Sequence, residues 1–280
     1  MMLPLTPSNP IGEYVNIYIA RSKDPEILSR RVGSGGAVTS ILRYLLDKGI
    51  CDAVVVARRT KGFEGSIIIA KTRREVIEAA GSRWSIVPFT SRLRRIIEEN
   101  NLRSIAIVGL PCQAQFLGHM RTFPILETDF GERIKIIISL FCMGTFAHEV
   151  FLTYLRSTYN IHVEDIEDIR VERENLVIML MDNRRIEIPV NEIASYLQTG
   201  CLACTDYTGV SADISAGMVS SLPGYTVLIT RTQYGDNIVH SVAREGYIEV
   251  KEADQEVVKE IMAKAIEKIE RANIFTTKSP

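Results

Sequence analysis

Four of the chain's five cysteines occupy positions where a thiolate can do chemistry. Cys201 and Cys204 form a C-x-x-C pair inside "TGCLACTDYTGVSADISAG", residues 199–217. Cys112 and Cys142 sit singly in two distant turns, "GLPCQ" and "FCMG". A C-x-x-C pair serves as a redox dithiol, as half of a zinc site, or as part of an iron–sulfur ligand set. The dithiol reading is the weakest, because that motif caps a strand and opens a helix, whereas turn residues follow Cys204. Four thiolates complete either a [4Fe–4S] cluster or a structural zinc held by cysteines alone. Such zinc sites pair two C-x-x-C motifs, and this chain has one pair plus two dispersed single cysteines. The spacing therefore favours a cluster, with zinc and unconnected structural thiols as the alternatives. Cys51 opens an apolar run with no cysteine or histidine neighbour and reads as a small core hydrophobe.

The elements that must position these thiols follow from periodicity. "SIAIVG" and "RIKIIISLFC" are continuous apolar runs of strand length, and each stops at a cysteine-bearing turn. Continuous runs mark strands covered on both faces, which predicts an α/β fold with a mixed, largely parallel central sheet flanked by helices. Ligands in such sheets bind at the carboxyl ends of strands, where Cys112 and Cys142 fall. Further strands are expected over "CDAVVVARR", "SIIIAKT" and "YTVLITRT". Helices are expected over "DPEILSRR", "GAVTSILRYLLDKG", "REVIEAAG" ending at Gly81, "TSRLRRIIEENN" capped by Thr90 or Ser91, and "AHEVFLTYLRSTYN". A turn at Gly235-Asp236 is expected to precede a helix over "NIVHSVAREG". The amphipathic "DQEVVKEIMAKAIEKIERAN" reads as a long helix for core packing or docking. Alternating strands in "NLVIMLMD" and "RRIEIPV" predict an α+β subdomain. The expected division is residues 1–159, an α/β part with the first two cysteines; 160–198, the α+β insertion; and 199–280, the C-x-x-C segment and terminal helix, all forming one unit.

Composition narrows the function by exclusion. Hydrophobic residues make up 46% and charged residues 24%, an ordinary globular balance. With 33 basic against 34 acidic residues, the net charge of −1 gives no electrostatic case for a nucleic-acid partner or an anionic membrane. No apolar run approaches the roughly 20 residues of a spanning helix. The start "MMLPLTPSNPIGEY" lacks a basic n-region and does not read as a signal peptide, so a cytoplasmic location is expected. In that compartment thiols stay reduced, and metal ligation or redox chemistry is the better reading of the cysteines.

Three other segments could contact a ligand. "VGSGGAVTS" precedes a helix in the arrangement that offers backbone N–H groups to a phosphate, though it matches neither G-x-G-x-x-G nor the P-loop. A plain turn explains it equally, and a Rossmann dinucleotide fold is not supported. Gly81, Ser82, Arg83 and Trp84, the chain's only tryptophan, combine small groups, a cation and an aromatic plate, as a phosphate-bearing aromatic cofactor would require. Asp206 and Asp213 could orient ribityl or ribose hydroxyls, or cap turns. The four histidines show no ligand spacing, and no hydrolase motif is present.

Taken in order, "GSGGAVTSILRYLLDKG", "EAAGSRWSIVP", "IVGLPCQAQFL", "SLFCMGTF" and "CLACTDYTGVSADISAG" resemble the blocks of the coenzyme F420 hydrogenase/dehydrogenase beta-subunit family over residues 15–250. That resemblance implies an oxidoreductase subunit with one [4Fe–4S] cluster, bound FAD, and coenzyme F420 as hydride-carrying substrate. Its partners would be other redox subunits of a hydrogenase- or dehydrogenase-type complex, with an oligomer also expected. It puts Cys112, Cys142, Cys201 and Cys204 on the cluster. It puts Gly33, Ser34, Gly35, Gly36, Ala37, Val38 and Thr39 around FAD, together with Gly81–Trp84, Pro111, Gln113, Asp206, Asp213, Ser215 and Gly217. The chain departs from the family pattern at Gly144-Thr145, where hydrogenase beta subunits carry glutamate and asparagine, and it has no further ferredoxin-like cysteine motif. Hydride transfer itself demands no acid–base residue, so no catalytic side chain is assigned. Ferredoxin in place of F420, and a non-enzymatic assembly protein built on zinc, are the competing readings.

Overall fold

The computed structural model describes residues 5–29, 35–60, 64–80, 87–123, 129–172 and 174–278. In chain order its first half holds β1 (Asn16–Ser22), α1 (Pro25–Ser29), α2 (Ala37–Asp47), β2 (Ala53–Arg59), β3 (Gly65–Ala70), α3 (Arg73–Glu78), α4 (Leu93–Glu99), β4 (Ile105–Gly109), α5 (Pro111–Thr122), β5 (Ile134–Leu140) and α6 (His148–Tyr159). There follow β6 (Ile166–Glu172), β7 (Asn175–Leu180), β8 (Arg185–Pro189), α7 (Val190–Ile193) and α8 (Thr199–Leu202). The last elements are β9 (Ile214–Gly217), β10 (Thr226–Thr230), α9 (Gln233–Arg244), β11 (Ile248–Glu252) and α10 (Gln255–Lys278).

Eight strands form the main sheet in the order β11-β1-β10-β9-β5-β4-β2-β3. Its centre, β9-β5-β4-β2, is parallel, and antiparallel strands extend both sides. The fold is thus the mixed α/β architecture expected, with its parallel pairing where the apolar runs are continuous. β5 shows why: six of its seven residues are apolar or small, and helices cover both faces. In β1, Tyr18 and Ala20 pack toward α2 and α9, while Ile17 and Ile19 pack toward Val257, Ile261 and Ala265 of α10. Helices α4 and α5 cover β2, β4 and β5 through Leu93, Ile97 and Leu117. The second sheet, β6-β7-β8, is antiparallel and shares an apolar core with α6, where alternating strands were expected.

Several boundaries differ from expectation. α9 starts at Gln233 with Thr232 as its cap, so Gly235 and Asp236 lie inside the first turn rather than in a preceding one. Glycine is needed there because a Cβ would stand 2.4 Å from the carbonyl of Asp213. Neither Thr90 nor Ser91 caps α4; a 3-10 turn, Thr90–Arg92, leads into it without a side-chain cap. The first turn of α3 is instead fixed by a capping box between Thr72 and Glu75. Gly81 lies outside the described residues. β1, β6, β9 and β11 were not foreseen: β9 is only four residues long, β11 is a short edge strand, and β1 and β6 mix polar with apolar residues, so none carries a clear period. Cys51 is buried in the core, and burial pushes its thiol up to about 12.

Candidate metal and cofactor site

β1, β2, β4, β5 and β9 all run in one direction, so their carboxyl ends share one edge of the sheet. The cysteine turns gather at that edge. β4 ends at Gly109, Pro111 opens α5, and Cys112 follows in the first helical turn with its side chain exposed. The neighbouring strand β5 ends at Leu140, and Cys142 lies two residues beyond. Cys201 belongs to the short helix α8, and Cys204 follows it.

Backbone hydrogen bonds zip the turn after β5 to the C-x-x-C segment. Cys142 N donates to Tyr207 O at 2.9 Å, Gln198 N to Thr145 O at 2.9 Å, and Ala147 N to Tyr196 O at 2.8 Å. The Thr145 hydroxyl lies 3.5 Å from Cys201 Sγ. From α10, Lys268 and Arg271 reach carbonyls in both segments. The thiols lie close enough to interact electrically. Although Cys112 meets solvent, desolvation by the turn around it raises its thiol, and the neighbouring Cys204 and Cys201 raise it further. Burial pushes Cys142 up to about 11; Lys268 opposes that shift, and Cys201 and Cys204 add to it. Among the described residues, no three His, Cys, Asp or Glu side chains are packed tightly enough to share a single metal ion. Two buried polar atoms beside these segments, Ser139 Oγ and Arg271 Nε, have no hydrogen-bond partner among the described residues.

The remaining candidates divide into two groups. Gly35 and Gly36 stand at this same edge, with Gly36 the N-cap of α2 at φ +72° and no side-chain cap. Ala37 N donates to Thr226 Oγ1 at 3.4 Å; Ala37 and Thr39 are buried, and Val38 packs against the core. Gly33, Ser34 and Gly81–Trp84 lie outside the described residues. Pro111 and Gln113 shape the α5 entry, where Gln113 accepts from Leu110 N at 2.9 Å and donates to Val87 O at 2.8 Å. Gly217 ends β9 so close to Phe141 that a Cβ would overlap its ring.

The acidic tail is built inward. The Asp206 carboxylate accepts from Gly209 N at 2.7 Å and Val210 N at 3.1 Å, which is the turn-capping alternative. Asp213 is 2% exposed and stands at the amino end of β9, opposite the cysteine edge. Both its oxygens are occupied: Arg121 binds it bidentately at 2.8 and 2.9 Å, Ile137 N donates at 2.8 Å and Thr232 Oγ1 at 3.1 Å. Ser215 Oγ donates to Gly209 O and accepts from Arg231 Nε. Arg231 also holds Ile11 O, Glu13 O and Thr208 Oγ1. Burial pushes that guanidinium down to about 10, so it stays charged at neutral pH. Sequence reading did not anticipate Arg121, Arg231, Lys268 or Arg271. A lysine on the apolar stripe of α10 was the one visible signal.

Gly209 is a second tight point of this tail, and it combines crowding with a positive φ. Its φ is +82°, and a Cβ would stand 2.0 Å from Ser139 Oγ and 2.3 Å from Ser139 Cβ. Gly209→Ala is expected to cost about 3 kcal/mol, from left-handed strain and overpacking together. Gly224→Ala shares the positive φ of +81° but meets nothing within 4 Å, so it should cost only about 1 kcal/mol. Urea denaturation of the two variants measures the difference, and equal losses would refute the packing argument.

Comparison with known proteins places the chain. Residues 17–94 match the N-terminal profile, and residues 102–256 the C-terminal profile, of the family described as "Coenzyme F420 hydrogenase/dehydrogenase, beta subunit". All four clustered cysteines fall in the second match. The chain is 30% identical to the coenzyme F420 hydrogenase subunit beta of Methanothermobacter thermautotrophicus over 246 residues, covering 88% of this chain and 87% of that protein. It is 28% identical to the coenzyme F420 hydrogenase subunit beta of Methanosarcina barkeri, over 88% of this chain and 84% of that one. Its fold superposes with a TM-score of 0.87 and 26% identity on a chain of the F420-reducing [NiFe] hydrogenase complex from Methanosarcina barkeri, covering 99% and 95% of the two chains. No described helix is long and apolar enough to cross a membrane. The chain belongs to the coenzyme F420 hydrogenase/dehydrogenase beta-subunit family, a family of oxidoreductase subunits.

Proposed function

We propose that the chain is a cytoplasmic iron–sulfur flavoprotein subunit that moves electrons between coenzyme F420 and the redox centres of partner subunits. The observation that carries the reading is the convergence of Cys112, Cys142, Cys201 and Cys204, from three separate parts of the chain, on the carboxyl edge of the sheet. Four cysteines drawn from three segments, with one C-x-x-C pair rather than two, fit a polynuclear cluster better than zinc. FAD, when bound, would exchange a hydride with F420 and pass single electrons to the cluster.

The chain's own residues supply position. Gly35, Gly36 and the start of α2 offer backbone N–H groups to a phosphate at the same edge. Gly33, Ser34, Gly81–Trp84, Pro111, Gln113 and Gly217 complete the proposed flavin surroundings, while Ser215, fully buried and bonded to Gly209 O and Arg231 Nε, supports them from within. Asp206 and Asp213 shape the tail from within, since their carboxylates are already engaged. Cys112, exposed on α5, would leave one corner of the cluster open to solvent.

Anaerobic purification followed by metal and flavin analysis tests the reading. About four irons per chain with bound FAD are expected, and reduced F420 should bleach the flavin near ~450 nm. Bleaching by reduced ferredoxin but not by F420 would reassign the electron donor. A colourless protein holding one zinc would overturn the proposal.

A further inference from the structure

The apolar stripe of α10 runs through Val257, Ile261, Ala265 and Ala272, and Lys268 occupies it with 1% exposure. Its ammonium donates to Cys142 O at 2.6 Å and to Asp206 O at 2.7 Å. Arg271, one turn further on, repeats the pattern: Nη2 donates to Met143 O at 2.5 Å and to Cys201 O at 3.2 Å. Each cation therefore ties one carbonyl of the turn after β5 to one carbonyl of the C-x-x-C segment. Arg271 also keeps a buried Nε without a hydrogen-bond partner among the described residues.

A buried charge is costly unless an opposite charge faces it. The oxygens that receive Lys268 are neutral carbonyls, so a staple alone would not call for an ammonium. An anionic thiolate set beside it supplies the missing counter-charge. We propose that Lys268 and Arg271 are positioning residues that lock the two cysteine segments together and hold the reduction potential of the cluster up. The inference rests on the iron–sulfur reading above. Reduction adds an electron to a centre that is already negative, and a nearby fixed cation stabilises the reduced form more than the oxidised one. Removing the cation lowers the potential. The second family match ends at residue 256, so both residues lie beyond it.

The test is a redox titration of the anaerobically reconstituted full chain, followed by the EPR signal of the reduced cluster. Lys268→Met keeps the length of the buried stem and removes the charge. Its iron content should match wild type, and its reduced-to-oxidised ratio at fixed potential should fall at least tenfold, about 59 mV for a one-electron couple. Lys268→Arg should restore most of that shift. Lys264→Met, on the exposed side of α10 where Lys264 pairs with Glu267 at 2.8 Å, should leave the potential unchanged. An unchanged potential in a fully loaded Lys268→Met chain overturns the inference and leaves the cluster standing. A wild-type chain that takes up no iron overturns both. If Lys268→Met unfolds or loses its iron, Arg271→Gln, at a half-buried position, carries the same titration. A potential equal to wild type there overturns the inference.

Discussion

Replacing Cys201 or Cys204 by serine is expected to abolish the iron–sulfur centre, with iron per chain falling from about four toward zero and the broad absorbance near ~400 nm disappearing. A serine hydroxyl keeps the size of the thiol but not its ease of ionisation or its affinity for iron. Cys112→Ser and Cys142→Ser should behave alike, since under the proposed assignment each would provide a ligand that no neighbouring cysteine can replace in its own segment. Cys51→Ala is the contrasting control. Cys51 is buried in the core on the α2 side of the sheet, so its loss should leave the iron intact. The flavin should survive in all these variants, which separates loss of the cluster from loss of the fold. Full iron content in any of the four serine variants would refute that residue's assignment.

The largest effect on stability is expected at Asp213. Its carboxylate joins three elements: Arg121 at the end of α5, Ile137 in β5, and Thr232 at the cap of α9. Asp213→Ala leaves a partly buried guanidinium and a buried backbone N–H without their acceptor, and should cost about 3–5 kcal/mol. At about 1.4 kcal/mol per factor of ten, that is roughly two to three and a half orders of magnitude in the folded-to-unfolded ratio. Arg121→Met removes the other half of the pair and should cost somewhat less, because Ile137 N and Thr232 Oγ1 still serve the carboxylate. The double variant should be more stable than the sum of the single losses predicts, the mark of a direct pair. Urea midpoints of the three proteins measure this. Strict additivity would mean that the pair contributes nothing beyond its separate contacts.

The two aspartates also show what could be read from the residues and what could not. The parallel centre was legible because β4 and β5 are long apolar runs, a pattern produced by burial on both faces. The gathering of the four cysteines was legible because Cys112 and Cys142 close the turns after two neighbouring apolar strand runs. β9 was not: "ISAG" is four residues long and follows an acidic turn, so nothing local marks it as a strand. Asp213 read equally well as a ligand or as a structural group, because its role depends on Arg121, which reaches it only once α5 has packed along β5. Lys268 is a similar case. In an amphipathic helix a lysine is ordinarily a solvated residue; its place on the apolar stripe hints that this one faces inward, and the packing of α10 on β1 and β10 shows that it does.

The arrangement of α10 bears on the order in which the protein matures. Synthesis runs from the N-terminus, so Cys112 and Cys142 leave the ribosome well before the C-x-x-C pair, and α10 follows later still. Until Lys268 and Arg271 have docked, the two cysteine segments lack the cross-ties that align their carbonyls. Under the iron–sulfur reading proposed above, a nascent chain exposes the four thiols before α10 holds their segments together. Helix α10 is thus a clamp that closes late, over two segments synthesised before it.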